Sequence, residues 1–129
     1  MSTDNLSLLY SVINLASVSG RKDVSIKTSK KILKVLNIFY SEGLIRGYSY
    51  NSKRTKIFIK FSGTAYKPVI KYIKVISTPS KFVSISVKSL SKLNEQGQFF
   101  LLSTSQGLCT SVKALSKNIG GNVLCKILI

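Results

Sequence analysis

Hydroxyls and glycines, rather than acids or imidazoles, carry the chemical potential of this 129-residue chain. Ser103-Thr104-Ser105-Gln106-Gly107 is followed closely by Gly120-Gly121-Asn122-Val123-Leu124-Cys125. Serine and threonine hydroxyls both donate and accept hydrogen bonds, which suits ribose hydroxyls, base edges and phosphate oxygens. Glycine beside them permits close backbone approach. Histidine is absent, which removes the commonest acid–base group and the commonest metal ligand. The four acids, Asp4, Asp23, Glu42 and Glu95, are scattered rather than paired. Cys109 and Cys125 are the only thiols. They are too few for a zinc site, and their apolar neighbours suit small buried hydrophobes in a reducing compartment. No enzymatic activity, metal or cofactor is expected. A nuclease in particular needs a general base or metal-binding carboxylates.

The charge balance points to a partner. Twenty Lys and Arg against four acids leave a formal net charge of +16, and a charge that large repels itself unless a polyanion lies nearby. Nucleic acid fits better than a membrane surface. The lysines are spread over many elements rather than one amphipathic helix, and no apolar run reaches the roughly 20 residues that span a bilayer.

The elements that must position these residues read as α+β in two small packed modules, 1–66 and 67–129. Leu6, Leu9, Tyr10, Ile13 and Ala16 recur at helical spacing behind Thr3 or Asp4 as cap, and Gly20 stops the helix. With no basic residue before Arg21, this segment does not read as a targeting peptide. Asp23–Lys27 is a predicted strand with Val24 and Ile26 inward. Thr28 or Ser29 caps a second helix to about Glu42, with Gly43 as its left-handed stop and Ile32, Leu33, Leu36, Phe39 and Tyr40 as its stripe. Lys27, Lys30, Lys31 and Lys34 gather at its start, where cations are unfavourable. They form either a solvated face or a phosphate-binding corner with the free N–H groups. Leu44–Tyr50 and Lys56–Phe61 pair as a hairpin around residues 51–54. Lys56, Phe58 and Lys60 then share one face, which is either an ordinary outer face or a surface that holds a nucleic-acid backbone and stacks a base. The first module is thus α-β-α-β-β.

The second module is mainly β with short helices. Val69–Ile76 is a predicted strand carrying Lys71 and Lys74, and Ser77–Ser80 a turn. Phe82–Val87 alternates as another strand, and Leu90 and Leu93 anchor a short helix. Phe99–Leu102 is apolar throughout, as a central strand buried on both faces would be. The hydroxyl loop follows, then a helix from Thr110 to about Lys117 and a closing strand Val123–Ile129.

The ordered string Ser103–Gly107, Thr110, Gly120-Gly121 and Leu124-Cys125 resembles the carboxy-terminal signature of the small-subunit ribosomal protein eight family, in its bacterial and organellar type. The resemblance covers nearly the whole chain and is strongest after Ser77, where Ser77-Thr78-Pro79 resembles the family's Ser-Lys-Pro turn. Three positions depart from the pattern. Gln106 stands where lysine is usual, Asn122 where an acid is usual, and Ser84 where a base-stacking tyrosine is frequent, leaving Phe82 as the nearby aromatic. The resemblance implies a non-catalytic structural protein of the small ribosomal subunit. It would bind a helix in the central domain of the small-subunit ribosomal RNA early in assembly, beside neighbouring ribosomal proteins. It also carries over Ser103, Thr104, Ser105, Gly107, Gly120 and Gly121 as RNA-binding residues. Lys30, Lys31, Lys56 and Lys81 join them on charge and placement alone. The alternative is a regulatory binder of messenger RNA outside the ribosome. Frequent Lys, Ile, Ser and Asn suggest an AT-rich genome, and divergence from the bacterial pattern suggests an organelle. The expected location is a mitochondrial ribosome, with a plastid or the bacterial cytoplasm as alternatives.

Overall fold

A computed structural model describes residues 2–62, 67–77, 81–96 and 98–129. The chain divides into two compact units, Met1–Ile73 with Ile129 and Lys74–Leu128. That division falls at Ile73/Lys74 rather than at the expected 66/67, and residues 63–66 lie outside the described ones.

The first unit contains α1 (Ser2–Ser19), β1 (Asp23–Lys27), α2 (Lys30–Ser41), β2 (Ile45–Tyr50), β3 (Arg54–Ile59), β4 (Phe61–Ser62) and β5 (Lys67–Pro68). All five apolar residues of the predicted first stripe are buried. The helix already includes Ser2, so Thr3 and Asp4 lie inside its first turn and neither is the cap. Ser29 caps α2, its Oγ accepting the Ile32 N–H at 3.2 Å. Gly43, at φ 73°, turns the chain so that Gly43 N–H and Leu44 N–H reach the carbonyls of Tyr40 and Phe39. The buried stripe of α2 is Ile32, Val35, Leu36 and Phe39, which corrects the expected face by a few tens of degrees. Leu33 is half-buried and Tyr40 exposed, although they too are one heptad apart and mimic the pattern.

β1, β3 and β2 form an antiparallel sheet in that order, with Val24 opposite Ile57 and Ile26 opposite Thr55. The hairpin tip is held by the Asn51 carboxamide, whose Oδ1 accepts the N–H groups of Lys53 (2.9 Å) and Arg54 (2.8 Å). That turn starts β3 at Arg54, two residues before the expected Lys56. It ends at Ile59 because Phe61 and Ser62 pair instead with Pro68 and Lys67.

The other elements are β6 (Tyr72–Val75), β7 (Ser84–Ile85), α3 (Val87–Glu95), β8 (Phe99–Thr104), β9 (Gly107–Thr110), α4 (Ser111–Ser116) and β10 (Gly121–Leu128). The sheet order is β6-β10-β8-β9, with β7 also on β10. The predicted strand over residues 69–76 shrinks to four residues, and Lys71 falls outside it. At its start the Asn14 side chain substitutes for a strand neighbour, donating to Ile73 O (3.0 Å) and accepting from Ile73 N (2.7 Å). The predicted strand over residues 82–87 keeps only Ser84–Ile85, because Ser86 caps α3 and Val87 opens it. Gly107, read as the end of the loop, and Thr110, read as the start of the helix, are the ends of strand β9, paired with β8 from Leu101↔Thr110 to Thr104↔Gly107, with Thr110 also the cap of α4. Leu90, Phe100, Leu102, Cys109, Ala114 and Val123 form one core cluster. Leu101 and Cys125, paired across β8 and β10, are fully buried as well, so β8 is a central strand buried on both faces.

Candidate nucleic-acid interface

The hydroxyl string sits at the end of the β8–β9 hairpin. Ser103 and Thr104 are the last residues of β8, and Ser105 and Gln106 form an exposed two-residue tip. Gly107 starts β9 at φ 103°, a conformation that side chains resist. Thr104 closes the turn itself. Its Oγ1 donates to Gly107 O at 2.8 Å and accepts from Gln106 N at 3.2 Å. Ser103 is half-buried, opposite Leu108 on one side and Asn122 on the other. Ser105 is therefore the hydroxyl of the string most open to a ligand.

The glycine pair lies against this hairpin. A Cβ on Gly121 would stand 2.5 Å from Ser103 O and 3.0 Å from Thr104 Cγ2; one on Gly120 would stand 2.3 Å from Ile85 O. Gly120 and Gly121 thus let β10 and its approach press onto β7 and β8. The structure brings Ser103, Thr104, Ser105, Gly107, Gly120 and Gly121 into one corner of the second unit.

Asn122 has a role the sequence did not disclose. Its Oδ1 accepts from Ser77 Oγ (2.7 Å) and from Val83 N (3.1 Å), while Ser77 Oγ also bonds Val123 O and lies 3.2 Å from Val83 N. A carboxylate at this position could accept the same bonds. β10 also bulges at Leu124, whose carbonyl accepts from Ile76 N (3.0 Å) and Ser77 N (3.3 Å). Residues 78–80, the rest of the expected turn, lie outside the described residues. Beyond them Lys81 and Phe82 are exposed, Phe82 by 75%. Ser84 is exposed too, paired with Asn122 across β7 and β10.

The first-unit lysines singled out in the sequence, Lys30, Lys31 and Lys56, fall into two places. Lys30 is exposed and Lys31 half-buried on the first turn of α2. The Thr28 N–H donates to Lys53 O (3.2 Å) and its Oγ1 to Asn51 O (2.9 Å), tying the β2–β3 tip to the segment that enters α2. Lys56 occupies the outer face of the sheet, 3.8 Å from Asp23 Oδ2 and 5.6 Å from the Phe58 ring centroid. Arg46 Cζ lies 5.4 Å from the same centroid. The expected lysine–aromatic–lysine face is therefore Arg46–Phe58–Lys56 instead, because β3 ends before Lys60. A register shift between Ile45 and Gly47 interrupts the alternation of β2 where Arg46 lies. Alternation alone could not have found it; the glycine beside it was the available signal.

Both thiols, Cys109 and Cys125, are buried. Among the described residues no group of three or more His, Cys, Asp or Glu could hold a metal ion, and no helix is long and apolar enough to cross a membrane.

The family profile described as Ribosomal protein S8 matches residues 4–128. Three relatives bear the name small ribosomal subunit protein uS8. That of Parvibaculum lavamentivorans is 33% identical over 128 residues, covering 97% of each chain. That of Rhodopseudomonas palustris is 37% identical and that of Nitrobacter winogradskyi 36%, each over 96% of this chain and 97% of the relative.

Proposed function

We propose that this chain, which belongs to the ribosomal protein S8 family, holds a helix in the central domain of the small-subunit ribosomal RNA through the β8–β9 hairpin corner. Its role is that of a structural constituent of the small ribosomal subunit, and RNA binding is general to the family. The family is structural rather than catalytic. The observation that carries the proposed site is the packing of Gly121 onto Ser103 and Thr104, which leaves the Ser105 tip standing clear on a rigid base. Lysines dispersed over both units neutralise phosphates and release counterions, giving affinity without sequence choice. The hairpin and its hydroxyls supply fit to a shallow groove or an irregular helix.

Lys30, Lys31, Lys56 and Lys81 serve in this reading as phosphate contacts, and adjoining small-subunit proteins complete the surroundings. We place the chain in a mitochondrial ribosome. Its bias towards Lys, Ile, Ser and Asn, together with identities of only 33–37% to the bacterial relatives named above, supports that placement. Co-sedimentation of the tagged protein with small subunits from purified mitochondria tests role and place together. Recovery only in ribosome-free fractions, bound to messenger RNA, would refute the structural reading.

A further inference from the structure

The helix α1 is apolar on two opposite sides. Leu6, Leu9, Ile13 and Ala16 bury one side in the core, while Leu8, Leu15 and Val18 stand 50%, 60% and 83% exposed on the other. A helix that is apolar all round is ordinarily covered all round. We propose that the outer side of α1 docks an amphipathic helix of an adjoining protein, one with an apolar stripe and acidic margins. The proposal rests on the reading of this chain as a subunit constituent only for where that protein is sought, and it concerns a surface separate from the hairpin corner.

Three observations define the occupant. The first is spacing. Leu8, Ser11, Leu15 and Val18 succeed one another at steps of three, four and three residues, the a–d repeat of a seam between two helices. Half-buried Val12 widens the stripe on one flank. The second is that the stripe can be dried. Its hydroxyls are already satisfied by their own helix, Ser11 Oγ donating to Ser7 O at 2.9 Å and Ser19 Oγ to Leu15 O at 2.7 Å. A partner can therefore cover them without stranding a donor. The face is also held in one orientation, because Asn14 bonds both backbone groups of Ile73 and Ser17 Oγ donates to Ile70 O at 2.8 Å.

The third is charge. All twenty Lys and Arg follow Gly20, so the 18 residues of α1 hold none. A phosphate backbone is gripped by cations, and a helix lying on a membrane carries them on its polar face; this helix serves neither. A second copy would bring another sixteen positive charges towards the first. A foreign protein helix is the occupant that fits an uncharged seam on a basic molecule. Arg21 and Lys22 are exposed just beyond the seam, and acids along the partner's margin complement them.

The test uses the full chain and, as probe, a fluorescein-labelled helical peptide with leucine at a and d and glutamate at e and g. Binding is measured at high salt, which screens general charge attraction. The parent should bind the probe, and Leu15→Gln should weaken it about 5- to 20-fold. That is the equivalent of the 60% of a leucine's ~1.5–3 kcal/mol still to be gained on burial. Tm and ribosomal RNA affinity of Leu15→Gln should stay those of the parent, since the side chain is neither core nor cation. A probe with its leucines changed to serine should not bind. In purified small subunits, a benzoylphenylalanine photoprobe in place of Val18 should cross-link to an apolar, acid-flanked helix of a neighbouring protein. Equal binding of the probe by parent and Leu15→Gln would overturn the site, as would a cross-link to RNA. Parent dimers in sedimentation equilibrium, or binding to phosphatidylcholine–cardiolipin vesicles, either one abolished by Leu15→Gln, would overturn it in favour of a second copy or a membrane. A chain that binds the probe as expected but is absent from small subunits would overturn the functional reading and leave this surface standing.

Discussion

Gly121→Ala separates packing from ligand contact at the hairpin corner. The added methyl would stand 2.5 Å from Ser103 O and 3.2 Å from Ser103 C, where ordinary contact begins at 3.4 Å. The first gap is short by 3.4 − 2.5, or about 0.9 Å. Both atoms are backbone in a paired strand, so neither can swing aside as a side-chain end would. Parting β10 from β8 by that distance stretches the adjacent ladder bonds past useful length, and each lost bond costs about 1 kcal/mol. With overpacking of about 1–3 kcal/mol as the usual range, the expected loss is about 2–3 kcal/mol. At about 2.1 cal/mol/K per residue the unfolding entropy of a chain this size is about 0.27 kcal/mol/K, so Tm should fall by about 7–11 °C. Gly47→Ala is the control. A Cβ there meets nothing within 4 Å and the backbone is not left-handed, so its Tm should move by no more than about 2 °C. Both are read by circular dichroism melting in the absence of RNA. If Gly121→Ala melted like the control and lost only RNA affinity, the glycine would serve the ligand and the packing argument would be wrong.

Other outcomes follow from the same geometry. Asn122→Asp should keep Tm within about 2 °C because only acceptor function is used, whereas Asn122→Leu should cost about 2–4 kcal/mol by leaving Ser77 Oγ and Val83 N without that acceptor; urea titration of the two variants checks this. Ser105→Ala should leave stability unchanged and weaken the cognate ribosomal hairpin, but not a scrambled one, by about 1–2 kcal/mol in filter binding. Thr104→Ala, by contrast, should lower Tm as well, since its hydroxyl closes the turn. Lys30→Ala with Lys31→Ala should weaken every RNA alike and reduce the salt slope by about one to two units, measured at several salt concentrations.

Much of this fold was legible because its signals are periodic or punctual. α1, β1 and the buried centre of β8 follow from spacing alone, and Gly20 and Gly43 mark true left-handed stops. What escaped depended on partners distant in sequence. β9 is too short to announce itself and exists because Leu101–Thr104 offers it a ladder. Val87 continues an alternating pattern, yet the Ser86 hydroxyl starts a helix there. At the site, the composition of the hairpin corner was visible but its division of labour was not. Thr104 and the two glycines look like ligand contacts in a string of letters, and in space they also build the turn and the strand contact beneath it.

The helix caps carry a consequence for the life of the molecule before assembly. Ser29, Ser86 and Thr110 cap α2, α3 and α4, and none of these helices has an acid in its first turn. A hydroxyl cap satisfies the backbone without adding negative charge, so these helix starts do nothing to discharge an excess of sixteen positive charges. The counter-charge must come from outside the chain. With four acids against twenty bases, a newly made copy is only one-fifth neutralised from within. A copy without a polyanionic partner is left repelling itself.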